Sequence, residues 1–334
     1  MHIVFLRGAV PPSSEHPEKL LYDSIESCED MWTQLFHRVL QLAGATGELL
    51  YQTGTKDRRT VVSGPLVERW VPSIKKYTPE QLPDVIIARG GFDYYDGFVQ
   101  RFPGAKKIHY GAGKRFYPQG YNDYDLFLVD TEKQLRKVCG KGRKAEYLLK
   151  PAATLFSPQD VDKIYDVCFM ANATQADIKR HRFMVKSMYR SGLRILNIGL
   201  TDNKLIALAE QRGTDVVWQG WCRRHELPAL ISQCRIGMCC SNTVDSCPRV
   251  IPEYLACGLP VLVTPDVRFW RERYLTEDTG LSVSDDAVVS GAYWLMERAL
   301  TPHPYYVANL SMDVASKRLV DQVKDIQMTI VEPR

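Results

Sequence analysis

The chain has no apolar run approaching the roughly 20 residues that a membrane span requires, and Arg7 breaks the one apolar stretch near its start. A spanning helix and a signal peptide are therefore not expected, and the cytoplasm is the default compartment. Paired cysteine spacings are also missing. The nine cysteines are scattered, with Cys239 and Cys240 adjacent and no C-x-x-C, which argues against a disulfide framework or a zinc site and for small reduced apolar residues. There is no low-complexity tract and no internal repeat. Net charge is small, +4 over 334 residues, but its placement is uneven.

What is present is core-forming material. With 45% hydrophobic and 25% charged residues, the chain can fill two domains of ordinary size. The basic excess lies wholly in the first half: residues 1–155 hold 22 Lys+Arg against 18 Asp+Glu, and residues 156–334 hold 21 of each. Residues 101–150 are the most biased, 12 to 5, which suits a polyanionic partner or a solvated basic face.

Short β-rich apolar runs alternate with segments of helical period, the pattern of βα units around parallel sheets. Strands are expected at 2–6, 48–51, 84–88, 107–110, 126–129 and 146–149, then at 167–170, 195–198, 216–219, 236–240 and 261–263. Between the first two, Met31, Leu35, Val39 and Leu42, with Trp32, Phe36 and Leu40, recur at three- and four-residue spacing and predict one amphipathic helix. Two doubly wound parallel-sheet domains follow, 1–153 for an acceptor and 154–302 for a nucleotide, with a helical tail 303–334 returning to the first. Two such sheets facing a central cleft would place the ligand there.

The most informative stretch is Trp218–Thr264, which reads strand, helix, strand, loop, helix, strand. Its loop is Ser241-Asn242-Thr243-Val244-Asp245-Ser246-Cys247-Pro248-Arg249, and Glu253-Tyr254-Leu255-Ala256-Cys257-Gly258-Leu259-Pro260-Val261 follows. A loop at a strand's carboxyl end that runs into a helix offers free N–H groups to a diphosphate. A carboxylate one turn into the helix can take ribose hydroxyls, and one in the loop can reach sugar hydroxyls. The bland alternatives are a helix cap at Glu253 and a turn residue at Asp245.

This stretch resembles the C-terminal half of retaining GT-B glycosyltransferases, the group 1 or family 4-like enzymes, whose motif is two acids separated by seven residues. Glu253, Ala256, Gly258, Pro260 and Val261 match its helix and following strand, and Asp245 takes the first acidic slot. Gly220-Trp221, Glu226-Leu227-Pro228, Thr279-Gly280-Leu281 and the linker-like Leu148–Pro158 add to the match. The resemblance implies an α/β GT-B fold with two Rossmann-like domains. It also implies a nucleotide-diphosphate-sugar donor, UDP-hexose for preference, with no cofactor and no metal required. Glu253 then serves the ribose, and Asp245 the donor sugar.

Where the family has glycine-rich backbone, this chain has Ser246, Cys247 and Pro248, and Arg249 is assigned the lost donor's role at a phosphate. The family's diphosphate arginine falls on Asn172, so Lys179 or Arg182 is expected to supply charge. In the first half, Gly8 is a close-approach position or a tight turn. His109 resembles the family's histidine facing the donor sugar, although a lone strand-end histidine is more often structural. Asp123-Tyr124-Asp125 precedes its strand and reads as a turn rather than a metal motif.

By the same resemblance the sugar is transferred with retained configuration. The acceptor is read from residues 91–127, which carry eleven aromatics in 37 positions interleaved with Lys106, Lys107, Lys114 and Arg115. Aromatics that stack on bases beside cations that hold phosphate suggest DNA, with a 5-hydroxymethylpyrimidine as acceptor. The competing reading puts half the aromatics in the core and the rest at a polysaccharide or lipid-linked sugar site. Outside the transferases, the same architecture serves nucleotide-sugar epimerases and non-catalytic binding modules.

Overall fold

The computed structural model describes residues 1–9, 28–53, 59–90, 93–111, 123–245 and 247–328. The first part of the chain forms β1 (His2–Ala9), α1 (Met31–Ala43), β2 (Thr46–Gln52), β3 (Arg59–Ser63), β4 (Leu66–Val71) and β5 (Val85–Arg89). It continues with α2 (Asp93–Val99), β6 (Lys106–Tyr110), β7 (Leu126–Val129), α3 (Glu132–Cys139) and β8 (Ala145–Tyr147). These eight strands make one sheet, ordered β3-β4-β2-β1-β5-β6-β7-β8 and parallel except for the antiparallel β3–β4 hairpin. From β1 the chain builds outward through β2 on one side and later through β5 on the other, so the order reverses between β1 and β5.

The α1 helix shows why the sequence folds locally as it does. Asp30 accepts from Thr33 N at 2.9 Å and caps the helix, and Gly44 ends it in the left-handed conformation, φ 58°. Its apolar stripe is buried, with Phe36 stacked on Phe5 of β1 at 4.0 Å between ring centroids. Burial of four or five such side chains, at about 2 kcal/mol each, outweighs the helix's modest intrinsic propensity.

The second unit holds β9 (Tyr165–Met170), α4 (Ala176–Lys179), α5 (His181–Ser187), β10 (Ile195–Ile198), α6 (Asn203–Arg212), β11 (Val216–Gly220) and α7 (Leu227–Ser232). Then come β12 (Cys234–Cys239), α8 (Val250–Ala256), β13 (Val261–Val263), α9 (Arg271–Tyr274), β14 (Gly280–Ser282), α10 (Val288–Met296) and α11 (Pro302–Asn309). Its six strands are all parallel, ordered β11-β10-β9-β12-β13-β14. Here the order reverses between β9 and β12, which puts the loops after those two strands side by side at a switch point, the usual ligand position of such sheets.

The last helix, α12 (Met312–Met328), belongs to the first unit, whose residues are Met1–Leu149 and Met312–Arg334; the second is Lys150–Ser311. These limits differ from those drawn on the sequence, 1–153, 154–302 and 303–334. Residues 150–153 go with the second unit because the Tyr274 hydroxyl bonds both Lys150 N (2.7 Å) and Lys150 O (2.9 Å), and Tyr306 OH accepts from Ala152 N. The tail divides for a similar reason. His303 Nδ1 lies 2.7 Å from Ala256 O and fastens α11 to α8, whereas Arg38 pairs with Asp313 and Gln322 donates to Glu146 in the first unit.

Candidate functional site

The loop after β12 is latched to the loop after β9 by Asn242. Its backbone N–H donates to Ile178 O (2.8 Å), its amide donates to Asp177 O (3.2 Å), and its Oδ1 accepts from Val244 N (2.9 Å). That turn brings Asp245, the first acid of the motif, to Lys179, and the two form an ion pair with each side chain about four-fifths buried. Lys179 ends α4, and Asp245 N closes the turn on Asn242 O. Asp245 is thus both a turn residue and half of a sheltered charge pair.

Glu253 sits in the first turn of α8 and makes no cap. Its carboxylate accepts instead from Arg224 Nη2 at 2.7 Å, in a pair that is 6% exposed on the Glu side and 22% on the Arg side. The Arg224 guanidinium also lies over Phe156, 5.3 Å from the ring centroid. Each acid of the motif is therefore held by a cation from another segment, charge-assisted and largely shielded from solvent. Arg224 was not singled out in the sequence. Its only signal was the run Arg223-Arg224-His225-Glu226 before α7, which does not say which cation turns toward Glu253.

Between the acids, Cys247 is buried and adopts φ 50°, a left-handed conformation where glycine would be at ease, and its N–H donates to Arg268 O at 2.6 Å. Pro248 follows, Arg249 occupies the cap position of α8 and is exposed, and Pro252 lies in the first turn. Two of these residues lack an N–H, and Ile251 N is engaged by Pro248 O. The helix start consequently offers fewer backbone donors than a glycine-rich loop would. Ser246 lies outside the described residues.

Of the two candidate cations after β9, Lys179 faces the motif, and Arg182 is exposed on α5 with no ion pair among the described residues. Between them Arg180, which the sequence reading passed over, takes φ 58° and clamps Asp285, with Nη1 3.1 Å from Oδ1. It stacks 3.9 Å from the Phe183 ring centroid and holds the loops after β9 and β14 together. Hydrogen bonding to Asp285 raises the pKa of this guanidinium. Asn172, in the slot of the family's arginine, accepts from Leu200 N at 2.8 Å, a loop-bracing bond.

In the first unit, Gly8 lies in β1 beside a register shift against β2, between Leu6 and Gly8. His109, on β6, is only 7% exposed and packs edge-on to Tyr124 (5.0 Å) and against Phe127 (5.5 Å). Burial pushes its pKa down to about 4, with a bond to the Gly90 backbone opposing the shift. The ring is a neutral packing element in these surroundings rather than one presented to a sugar. Since the unfolded chain takes up this proton near pH 6.5 and the native state near 4, His109 supports the fold fully above pH 6.5 and loses that support as pH falls to 4. His109→Gln should therefore lose less stability than the parent between pH 7.5 and 5, by about 2 kcal/mol, in urea melts at the two pH values. Equal losses would remove His109 as the source.

The aromatic-rich segment is also corrected in part. Tyr95, Phe98, Tyr110, Tyr124 and Phe127 are buried, and Phe102 packs against the same core, so none of these six is available to stack on a base. Phe92, Phe116, Tyr117, Tyr121, Lys114 and Arg115 lie outside the described residues, and nothing is described of the Tyr94 side chain. Asp125 accepts from Lys107 N at 2.7 Å, which makes it a strand-end residue.

A family model, glycosyl transferases group 1, matches residues 185–292. No curated protein matches the chain. Among solved structures, sucrose-phosphate synthase from Thermosynechococcus elongatus is 12% identical over 98% of this chain and all of that one, TM-score 0.71. The lipopolysaccharide outer core galactosyltransferase WaaB is 12% identical over 98% and 100%, TM-score 0.67. A structure of the GtfA/B complex is 17% identical over 74% of this chain, TM-score 0.59, and the chain spans 58% of its length. At these identities the likeness carries the fold, and the family model adds the domain. No described helix is long and apolar enough to cross a membrane. The chain has the GT-B fold, and residues 185–292 of its second unit are similar to the group 1 glycosyltransferase domain.

Proposed function

We propose that the protein transfers a hexosyl group from a UDP-hexose to a hydroxyl acceptor with retention of configuration. The observation that carries the reading is the pair of acids at the β9/β12 switch point, each oriented by a cation: Asp245 by Lys179, and Glu253 by Arg224. Arg224 fixes one oxygen of Glu253, and the carboxylate accepts the ribose hydroxyls. Lys179 and Arg249 neutralise the diphosphate, and Asp245 takes hydroxyls of the donor sugar. The anomeric carbon becomes oxocarbenium-like as the nucleoside diphosphate leaves, and these fixed cations stabilise the departing charge. The motif supplies no enzymic nucleophile, so the acceptor attacks on the face the leaving group vacates. Donor binding needs no metal in this scheme. His109, buried and neutral, takes no part.

The acceptor in this proposal is a saccharide hydroxyl. A 5-hydroxymethylpyrimidine in DNA is the second reading, favoured by the 12-to-5 basic bias of residues 101–150 but deprived of the six core aromatics. The test is incubation with UDP-glucose and a panel of sugars, with proton NMR of the anomeric signal. An α-linked product from the α-linked donor supports the proposal. A β-linked product overturns retention, and an epimerised donor makes the protein an isomerase. Transfer to duplex DNA carrying hydroxymethylcytosine, with retention of that duplex at low salt, would restore the DNA reading.

A further inference from the structure

We infer that the carboxyl ends of β1 and β5 form an oxyanion subsite for the acceptor, with Arg89 as its cation. The inference rests on the transferase reading for the word acceptor, but the subsite itself stands on the first unit alone. β1 and β5 flank the point where that sheet's order reverses, and their register, Leu6 opposite Ala88, leaves Arg7 and Arg89 level with one another at the strand ends. Both reach the first turn of α1, and there their circumstances diverge.

Arg7 is satisfied. Its Nη2 donates to Asp30 Oδ1 at 2.6 Å and its Nη1 to the Tyr51 hydroxyl at 2.9 Å; Tyr51 in turn donates to Glu68 at 3.1 Å. Burial alone would lower the pKa of Arg7, yet Asp30 and Tyr51 raise it, so this is a closed structural network. Arg89 has no such partner. Its guanidinium lies over Trp32 (4.6 Å) and nearer the edge of reach of Tyr110 (6.0 Å), and among the described residues its buried Nε has no hydrogen-bond partner and it pairs with no carboxylate. The neighbouring acids are committed elsewhere: Asp30 to Arg7 and the α1 cap, and Asp130 to the Tyr110 hydroxyl at 2.8 Å.

Ring contacts occupy the face of a guanidinium and leave its in-plane N–H donors unused. A buried donor without a partner is costly, and a planar fork that holds such a donor at Nε fits one class of ligand best, an oxyanion taken bidentately. Two rigid aromatics hold the fork in place, so little side-chain entropy is lost on binding. The arrangement points to a phosphate or carboxylate group carried by the acceptor.

The experiment follows the Arg89 side-chain Nε–H resonance, assigned by its loss in Arg89→Gln, during titration with inorganic phosphate and separately with acetate. Saturating UDP is present to fill any anion site in the second unit. Expected is a saturable shift of that resonance, larger with the anion the site prefers. Phosphate or acetate affinity should weaken at least tenfold in Arg89→Gln, with UDP affinity and Tm close to the parent's, and Arg89→Lys should fall between. In transfer assays, the preference for phosphorylated or carboxylated sugars over neutral ones should vanish in Arg89→Gln. An unmoved resonance, or anion affinity equal in parent and Arg89→Gln, overturns the subsite. A shifted resonance in a protein that binds no nucleotide sugar keeps the subsite and sinks the transferase reading instead.

Discussion

Glu253→Gln should lower affinity for UDP by about 100-fold while leaving the chain folded. In the proposed scheme the carboxylate accepts hydrogen bonds from both ribose hydroxyls; each charge-assisted bond contributes about 1.5 kcal/mol net, and two together correspond to about 3 kcal/mol, or roughly two decades in Kd. Gln keeps the volume but presents a single acceptor oxygen and cannot neutralise Arg224, which then stands over Phe156 without its counter-ion. Calorimetric titration with UDP and with UDP-glucose separates the two acids. At Glu253 both ligands are weakened alike, because the ribose belongs to both. Asp245→Asn should spare UDP and weaken only UDP-glucose, because that carboxylate is assigned to the sugar. Glu253→Asp keeps the charge and withdraws the oxygens by about one C–C bond, about 1.5 Å, so it should resemble Gln for UDP while disturbing stability less. If the Arg224–Glu253 pair only braces α8, Glu253→Gln would drop Tm and leave nucleotide affinity unchanged. That outcome would falsify the assignment of Glu253 to the ribose.

The parts of this site that could be read beforehand are those whose position follows from one segment of chain. Glu253 lies one turn into α8 because a strand, a loop and a helix succeed one another locally, and the periodic pattern of Met31 to Leu42 likewise places α1 without reference to anything distant. The partners were not legible. Arg224 is 29 residues from Glu253 and Lys179 is 66 from Asp245; the strand order β11-β10-β9-β12 puts the loops that carry them on the same end of one sheet, and that order is not written in any local window. Aromatic richness misled for a related reason. In residues 91–127 the pattern records hydrophobic mass, and whether a ring packs or stacks depends on which sheet face and helix it meets, so Tyr95, Phe98 and Phe127 were core all along. The β3–β4 hairpin was overlooked although its signal was local: Val61-Val62-Ser63-Gly64-Pro65-Leu66-Val67 is a pair of short β-rich runs about a turn, with Gly64 at φ 57°.

Gly237→Ala should lower the melting temperature of the second unit by roughly 6–12 °C, and the cause lies directly beneath the site. Gly237 is in the middle of β12, between β9 and β13, and α8 crosses it with Tyr254. A Cβ at 237 would collide with the Tyr254 ring, 2.9 Å from Cε2 and closer still to Cγ and Cδ2. The ring cannot swing away, because it is fully buried and its hydroxyl accepts from Met170 N at 2.8 Å. Overpacking of this kind costs about 3 kcal/mol, and a domain of this size loses about 2–4 °C per kcal/mol. Gly104→Ala is the control, since nothing lies within 4 Å of a Cβ there, and it should melt within about a degree of the parent. Combining Gly237→Ala with Tyr254→Leu should cost less than the sum of the two single changes, because the second removes the ring that the first strikes. Relief of the clash by displacement of α8 would also carry Glu253 with it, since Glu253 and Tyr254 are consecutive. UDP affinity should then fall even at temperatures where the variant is fully folded. A Gly237→Ala protein with the parent's Tm and nucleotide affinity would mean that β12 and α8 are not packed as described.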